Sequence, residues 1–198
     1  MAGRKVVFRE SAVELQASMI GTAVSEQSRE RELIEEAKHD RQAFARLHRE
    51  HHAAIAAYIG RRVGDPHVTE DLAAEVFVTA LQALPRYRCR GIPVRAWFYR
   101  IASNAVNRWV RHHRRALQLD NDPAAWPDAD SPGWEAQRAR RALLALPPRY
   151  QTVLALHYVE GLGLEDVART VGCRLGTVKS RLSRGREALR EQLMRRRS

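Results

Sequence analysis

Thr177, Lys179, Ser180, Arg181, Ser183 and Arg184, preceded by Arg174, form a dense run of hydroxyl and cationic side chains near the C-terminus. Such groups at helical spacing can hydrogen-bond phosphate oxygens and base edges. Leu175, Val178 and Leu182 repeat at i, i+3 and i+7 within the same run and predict the buried face of that helix. Thr177, Ser180, Ser183 and Arg184 are thereby turned outward, with Lys179 and Arg186 on one flank and Arg181 on the other. Upstream, Leu164 to Val171 predicts a shorter helix whose Val167, Ala168 and Val171 face inward. Ala168 is small enough for a close crossing, and Gly172 supplies the left-handed turn between the two helices. The pair reads as a helix-turn-helix, the device that sets a helix into the major groove of DNA.

A second group of candidates lies in mid-chain. Arg86-Tyr87-Arg88-Cys89-Arg90 and Arg95-Ala96-Trp97-Phe98-Tyr99-Arg100 interleave aromatic rings with guanidiniums. That mixture suits single-stranded nucleic acid, where rings stack on unpaired bases for about 1–3 kcal/mol each. On the helix carrying the second of these runs, Arg100, Asn104, Asn107 and Arg111 share one face at i, i+4, i+7 and i+11. Phe98, Ile101, Ala102, Ala105 and Trp109 share another and read as core. Trp97 sits at the border and Tyr99 off the core face, which makes them the better stacking candidates.

Helical periodicity dominates the elements that must hold these groups, and no convincing strand pattern competes with it. Leu33, Ile34 and Ala37 mark a short first helix, and Phe44, Leu47, His51, Ile55, Tyr58 and Ile59 a second that stops at Gly60–Gly64 and Asp65-Pro66. Leu72, Val76, Phe77, Ala80, Leu81 and Leu84 mark a third, ended by Pro85. Pro93 opens a fourth that runs to about Arg115. After a break, one helix reaches Leu146, another runs from Pro148 to about Glu160, and the helix-turn-helix comes last. The fold class is all-α, two small helical domains joined by a linker, the second a four-helix domain containing the helix-turn-helix.

Charge sharpens this division. The chain has 198 residues and a net charge of +11, which favours a polyanionic partner. Nine Arg or Lys residues lie from Arg174 onward, and Arg108, Arg111, Arg114 and Arg115 form a second concentration. Between the two runs Leu119 to Trp134, with four Asp, three Pro and no basic residue. The expected segments are an N-terminal arm 1–27, a first domain 28–118, an acidic Pro-rich linker 119–134 and a second domain 135–198. Cys89 and Cys173 cannot build a disulfide framework or a paired-cysteine metal site, and they suit a reducing, cytoplasmic setting. No apolar run approaches a membrane span, so no membrane insertion is expected.

An enzyme reading starts from His48, His51, His52, His112, His113 and the pair His39-Asp40. A three-histidine site would also need ligand geometry around the metal and an open position or carboxylate. His51, however, falls on the apolar stripe with His48 beside it, and no phosphate-cradling Gly-rich loop or nucleophile elbow is present. No metal, cofactor or catalytic residue is therefore expected. A self-sufficient DNA-binding regulator is a second alternative, but it leaves the helix from Trp97 to Asn107 unexplained.

Taken together, the motifs resemble those of the extracytoplasmic-function (ECF) sigma factors, the two-domain promoter-recognition subunits of bacterial RNA polymerase. The resemblance covers about residues 29–195. It rests on Ala43-Phe44-Ala45-Arg46-Leu47, on Glu70 to Phe77 and on Ala96 to Asn104 in the first domain. In the second it rests on Leu146-Pro147, Gly161 to Ala168 and Gly176 to Leu182. The resemblance implies that Asp71 and Glu75 contact core RNA polymerase. It implies that Tyr87, Arg88, Trp97, Tyr99, Arg100, Asn104, Asn107 and Arg111 recognise and melt the −10 element of promoter DNA. It also implies that Arg174, Thr177, Lys179, Ser180, Arg181, Ser183 and Arg184 read the −35 element, and that an anti-sigma factor is a partner. The chain departs from the family pattern at Ala74, where Gln is common, at Arg108, where Asp is common, and at Gly185, where Ala is usual.

The sixteen-residue linker adds a physical constraint. It can stretch at most about 55 Å and averages roughly 20–24 Å when flexible. Promoter elements about 25 bp apart, at ~3.4 Å per base pair, lie roughly 85 Å from each other. Domain size covers part of that gap, so a third body, core polymerase, is needed to hold the domains apart.

Overall fold

Two aspartates begin two of the three long helices of the first domain. Asp40, in extended conformation, accepts the Gln42 amide at 2.8 Å and starts helix α2, Arg41–Val63. Asp65 accepts the Val68 amide at 3.0 Å, and Pro66, with its preset φ and missing N–H, opens α3, Pro66–Ala83. The computed structural model describes residues 28–88, 93–119 (side chains to 113) and 134–194. The expected N-terminal arm, Cys89, Arg90, the Arg114–Arg115 side chains and nearly all of the acidic linker lie outside the described residues.

A short helix α1 spans 28–37. A single 3-10 turn, Leu84–Arg86, comes after α3 and is succeeded by α4, Val94–Leu119. Glu30 on α1 accepts the Val94 amide at 2.9 Å and so closes the open N-terminus of α4. The second domain holds α5, Trp134–Leu144, α6, Pro148–Leu154, a π turn, Ala155–Val159, then α7, Leu164–Val171, and α8, Leu175–Met194. No strand occurs among the described residues. Helix α2 runs through Gly60, and α4 extends four residues beyond the expected end near Arg115.

Helices α2, α3 and α4 pack around Leu47, Tyr58, Ile59, Val76 and Phe98. Helix α4 is covered on a second side by α7, which carries burial beyond the expected stripe. Tyr99, Val106 and Val110 are buried, whereas Ile101 and Trp109 are only half-buried. A single-face helical wheel misses this because two partners flank one helix.

The histidines of α2 belong to this packing. His48 and His52 lie against Phe77 with ring centroids 4.5 and 5.8 Å away, and His51 lies 5.2 Å from Phe98. Loss of hydration pushes the pKa of His51 and of His48 below the ordinary 6.5. Their folded-state pKa values being lowered, the unfolded chain binds protons first as pH falls. The stability they contribute is complete above about pH 6.5 and lost as pH falls through the folded-state values. Thermal melts of the native chain from pH 7 to pH 5 should show a falling midpoint. His51→Leu should flatten that slope, and an unchanged slope would remove His51 from the account.

A polar network crosses the same core. Arg62 is fully buried, and its guanidinium donates to Tyr58 Oη at 3.0 Å, Asn107 Oδ1 at 2.7 Å and Gln151 Oε1 at 3.4 Å. Tyr58 Oη also shares a 2.8 Å hydrogen bond with Ser103 Oγ. Tyr58→Phe keeps the ring but strips Arg62 and Ser103 of a partner. It should destabilise the chain by about 1–3 kcal/mol, the cost of leaving buried polar groups unsatisfied, measured by urea unfolding.

Candidate nucleic-acid interface

The candidate recognition surface begins with the turn that aims it. Gly172 adopts φ 67°, ψ 39°, a left-handed conformation that most side chains resist, and ends α7 after Val171. Val167 and Ala168 on α7, with Val178 and Leu182 on α8, are buried, while Val171 and Leu175 are half-buried. That packing leaves Arg174, Thr177, Lys179, Ser180, Ser183 and Arg184 exposed along α8. Arg181 is half-buried, its guanidinium 4.0 Å from Cys173 Sγ on the flank of the turn.

Gly185 has a packing reason. It is buried against α6, and a Cβ there would stand 3.2 Å from Leu154 Cδ1 and 3.3 Å from Tyr150 Cβ. The residue usual in the family would add about 1 kcal/mol of helix propensity but would crowd this crossing. The close approach also brings in two residues that sequence reasoning missed. The Arg149 guanidinium lies 4.9 Å from the centre of the Tyr150 ring. Hydrogen bonding from Arg149, with a further contribution from Arg184, lowers the Tyr150 pKa from its ordinary value. Both residues sit before the helix-turn-helix in sequence, where only the dipeptide Arg149-Tyr150 hinted at a nucleic-acid surface.

The α4 candidates divide into two sets. Tyr87 and Trp97 are half-buried and lie ring to ring at 4.3 Å, with Trp97 backed by Phe98 at 5.3 Å. Arg88, Arg100, Asn104 and Arg111 are exposed. This is a stacked aromatic pair with guanidiniums and a side-chain amide nearby in the chain, the composition suited to unpaired bases. Tyr99 and Asn107 are placed differently. Tyr99 is 5% exposed, and its hydroxyl donates to Glu160 of the second domain at 2.6 Å. Burial, then that bond, raises the phenol pKa far above its ordinary value. Asn107 is half-buried and held by Arg62. The expectation that Tyr99 lies off the core face is corrected here, because the second domain covers that side of α4.

Asp71 and Glu75 are exposed on α3. Glu75 pairs with Arg108 of α4, so a residue that departs from the family pattern is the ion-pair partner of one that keeps it.

Residues 47–116 match the family Sigma-70 region 2, and residues 136–189 match Sigma-70, region 4. The chain belongs to the ECF sigma factors. It is 30% identical over 172 residues to the ECF RNA polymerase sigma factor SigW of Bacillus subtilis, covering 79% of this chain and 91% of that protein. It is 32% identical over 184 residues to the RNA polymerase sigma-H factor of Pseudomonas aeruginosa, covering 84% and 95%. Against the ECF RNA polymerase sigma factor SigE of Mycolicibacterium smegmatis it is 32% identical over 156 residues, 74% of this chain but 60% of that longer protein. Among solved structures it resembles CnrH, determined in complex with the cytosolic domain of CnrY, with a TM-score of 0.64, 26% identity and coverage of 83% and 96%. It also resembles the sigma factor RpoE of Bartonella quintana, crystallised with the anti-sigma factor NepR, with a TM-score of 0.58, 25% identity and coverage of 76% and 96%. This sigma factor thus carries both sigma-70 regions, one on each of its two helical domains. No helix among the described residues is long and apolar enough to cross a membrane.

The crossing at Gly185 can be tested directly. Gly185→Leu should lift α8 from α6 and cost about 1–3 kcal/mol by overpacking, read by urea unfolding. The same variant should weaken binding to duplex DNA.

Proposed function

We propose that this alternative sigma factor binds core RNA polymerase and directs it to promoters by reading a −35 duplex and opening a −10 element. The observation that carries the reading is the outer face of α8. Thr177, Ser180, Ser183 and Arg184 are exposed there, turned away from the buried Val178 and Leu182, with Lys179 exposed on the flank. A helix anchored by that apolar seam offers hydroxyl and cationic groups to the major groove, with Arg174 and Arg181 reaching the flanking phosphates.

The first domain performs a different task. Tyr87 and Trp97 supply stacking surface, Arg88, Arg100 and Arg111 supply charge, and Asn104 supplies paired donor and acceptor groups for an extruded base. Extrusion costs a few kcal/mol, which stacking and hydrogen bonding in such a site offset. Tyr99 and Asn107 complete this set, Tyr99 once Glu160 of the second domain has released it. Asp71 and Glu75 are the polymerase contacts, with the functional domains at 28–118 and 135–198 and the acidic segment 119–134 spanning between them. The protein acts in the cytoplasm, without catalysis and without a metal or cofactor. An anti-sigma factor is its expected inhibitor, a reading supported by the two solved relatives described with CnrY and NepR.

Transcription in vitro with purified core enzyme on a genomic promoter library tests the whole reading. Lys179→Ala and Arg184→Ala should each lower −35-dependent initiation by about tenfold, within the 1–3 kcal/mol of a lost DNA contact, while polymerase binding persists. Wild-type output from both variants would remove the assigned recognition face. Asn104→Ala should bind polymerase and promoter normally but leave thymines near the start site less reactive to permanganate.

A further inference from the structure

The three long helices of the first domain do not begin in the same way. Asp40 and Asp65 stand just before α2 and α3, and each accepts an amide of the first turn, at 2.8 and 3.0 Å. The residue just before α4 is Pro93, whose ring offers no acceptor, and the first turn of α4 holds no acidic side chain. It holds Arg95 instead, a cation at the positive end of the helix dipole. The missing acceptor comes from 64 residues away in the chain, where Glu30 of α1 takes the Val94 amide on Oε1 at 2.9 Å. Burial raises the Glu30 pKa above its ordinary 4.5 and Glu50 of α2 adds to the rise, while the Val94 amide and Arg95 favour the charged form.

The consequence of this borrowed cap rests on the proposed opening of the −10 element. Val94, Ala96 and Phe98 are buried, whereas Trp97 is half-buried and stacks on Tyr87. Tyr87 ends the 3-10 turn, its amide bonded to the Leu84 carbonyl at 3.0 Å. The aromatic pair is therefore shared by two elements, and it forms only while the first turn of α4 keeps its place. Arg100 and Asn104 come one and two turns later on the same helix. We infer that Glu30 is a positioning residue for the single-strand surface, holding Trp97 against Tyr87 and setting where Arg100 and Asn104 stand. Without the cap the first turn of α4 frays, because its amides lose their one acceptor from outside the helix. Helix α3 has its own cap and α8 its own apolar seam, so the faces proposed for polymerase and for the −35 duplex do not depend on Glu30.

Three substitutions in the full chain test this role. Glu30→Leu removes the acceptor at similar size, Glu30→Gln keeps an acceptor without the charge, and Pro93→Asp gives α4 a cap of its own. Hydrogen exchange read by mass spectrometry on the free chain reports the first turns of α4. Reconstituted holoenzyme, on a promoter recovered from the genomic library, reports polymerase affinity, closed-complex formation and the rate of opening by permanganate. Glu30→Leu should speed exchange over residues 94–100 about fivefold, the usual effect of a lost cap, and slow opening by a similar factor. Polymerase affinity and closed-complex formation should stay as in the wild type. Glu30→Gln should lie close to the wild type in exchange and opening, and Pro93→Asp added to Glu30→Leu should recover both. Should Glu30→Leu fail to fold by circular dichroism, Glu30→Asp, one methylene short of the Val94 amide, carries the same test. Equal losses of polymerase affinity and of opening would mean a merely structural role and overturn the assignment. Wild-type opening by the folded variant would overturn it too, as would a Glu30→Gln as slow as Glu30→Leu or a failed rescue. Asn104→Ala in parallel separates the two levels. Normal opening by that variant removes α4 as the melting surface, whereas a defect there beside normal opening in Glu30→Leu removes Glu30 alone.

Discussion

A guanidinium with no room for water ties the molecule together. Arg62 is buried where α2, α4 and α6 meet, and the partners holding it are the neutral oxygens of Tyr58, Asn107 and Gln151. A buried cation is costly unless its donors are paired, and with Nε left without a partner among the described residues Arg62 depends on the bonds of its two terminal nitrogens, so each of these side chains is constrained in turn. Tyr58 must present its oxygen, Ser103 must sit opposite it, and Asn107 must turn inward. Gln151 completes the chain of dependence. Its amide nitrogen donates to the Leu144 and Leu146 carbonyls, closing the end of α5, while its oxygen faces Arg62. One buried charge thereby couples the framework of the first domain to the start of the second.

That coupling explains why the two candidate nucleic-acid surfaces differ in availability. Helix α8 takes its orientation from an apolar seam internal to the second domain, and its outer face is open whatever the first domain does. Helix α4 has no such independence, because α2 and α3 pack on one side and α7 on another. Its polar residues therefore split. Arg100, Asn104 and Arg111 reach solvent, whereas Tyr99 is drawn to Glu160 of the second domain and Asn107 to Arg62 of its own.

Much of the architecture was legible from local physical signals. Asp65-Pro66 announced the end of α2 and Gly172 the turn, whereas the capping of helix starts by Asp40 and Asp65 is seen only in the structure. The repeat of Leu175, Val178 and Leu182 named the hidden side of α8, which fixes the exposed side by exclusion. The α4 stripe was less legible. Periodicity assumes one buried face, and it placed Ile101 and Trp109 inside and Tyr99 outside, whereas two flanking partners bury Tyr99 and leave the other two half-covered. Gly185 departs from the family pattern in α8, and only the 3.2–3.4 Å spacing to Leu154 and Tyr150 shows what it accommodates.

The sequence by itself determined the all-α class, the two basic domains, the acidic segment between them and the outward residues of α8. Each of these arises from interactions within about a dozen neighbouring residues, where spacing and side-chain type suffice. The tertiary structure alone decided the partners of Glu160, the burial of Arg62 and the pairing of Glu75 with Arg108. The π turn is the clearest case. Winding one residue wider than an α-helix, it rotates the succeeding residues, Glu160 first among them, by about 100° around the axis. No propensity in Ala155–Val159 announces that choice, and the Glu160 carboxylate that comes directly after the turn meets Tyr99 and Arg61 of the first domain.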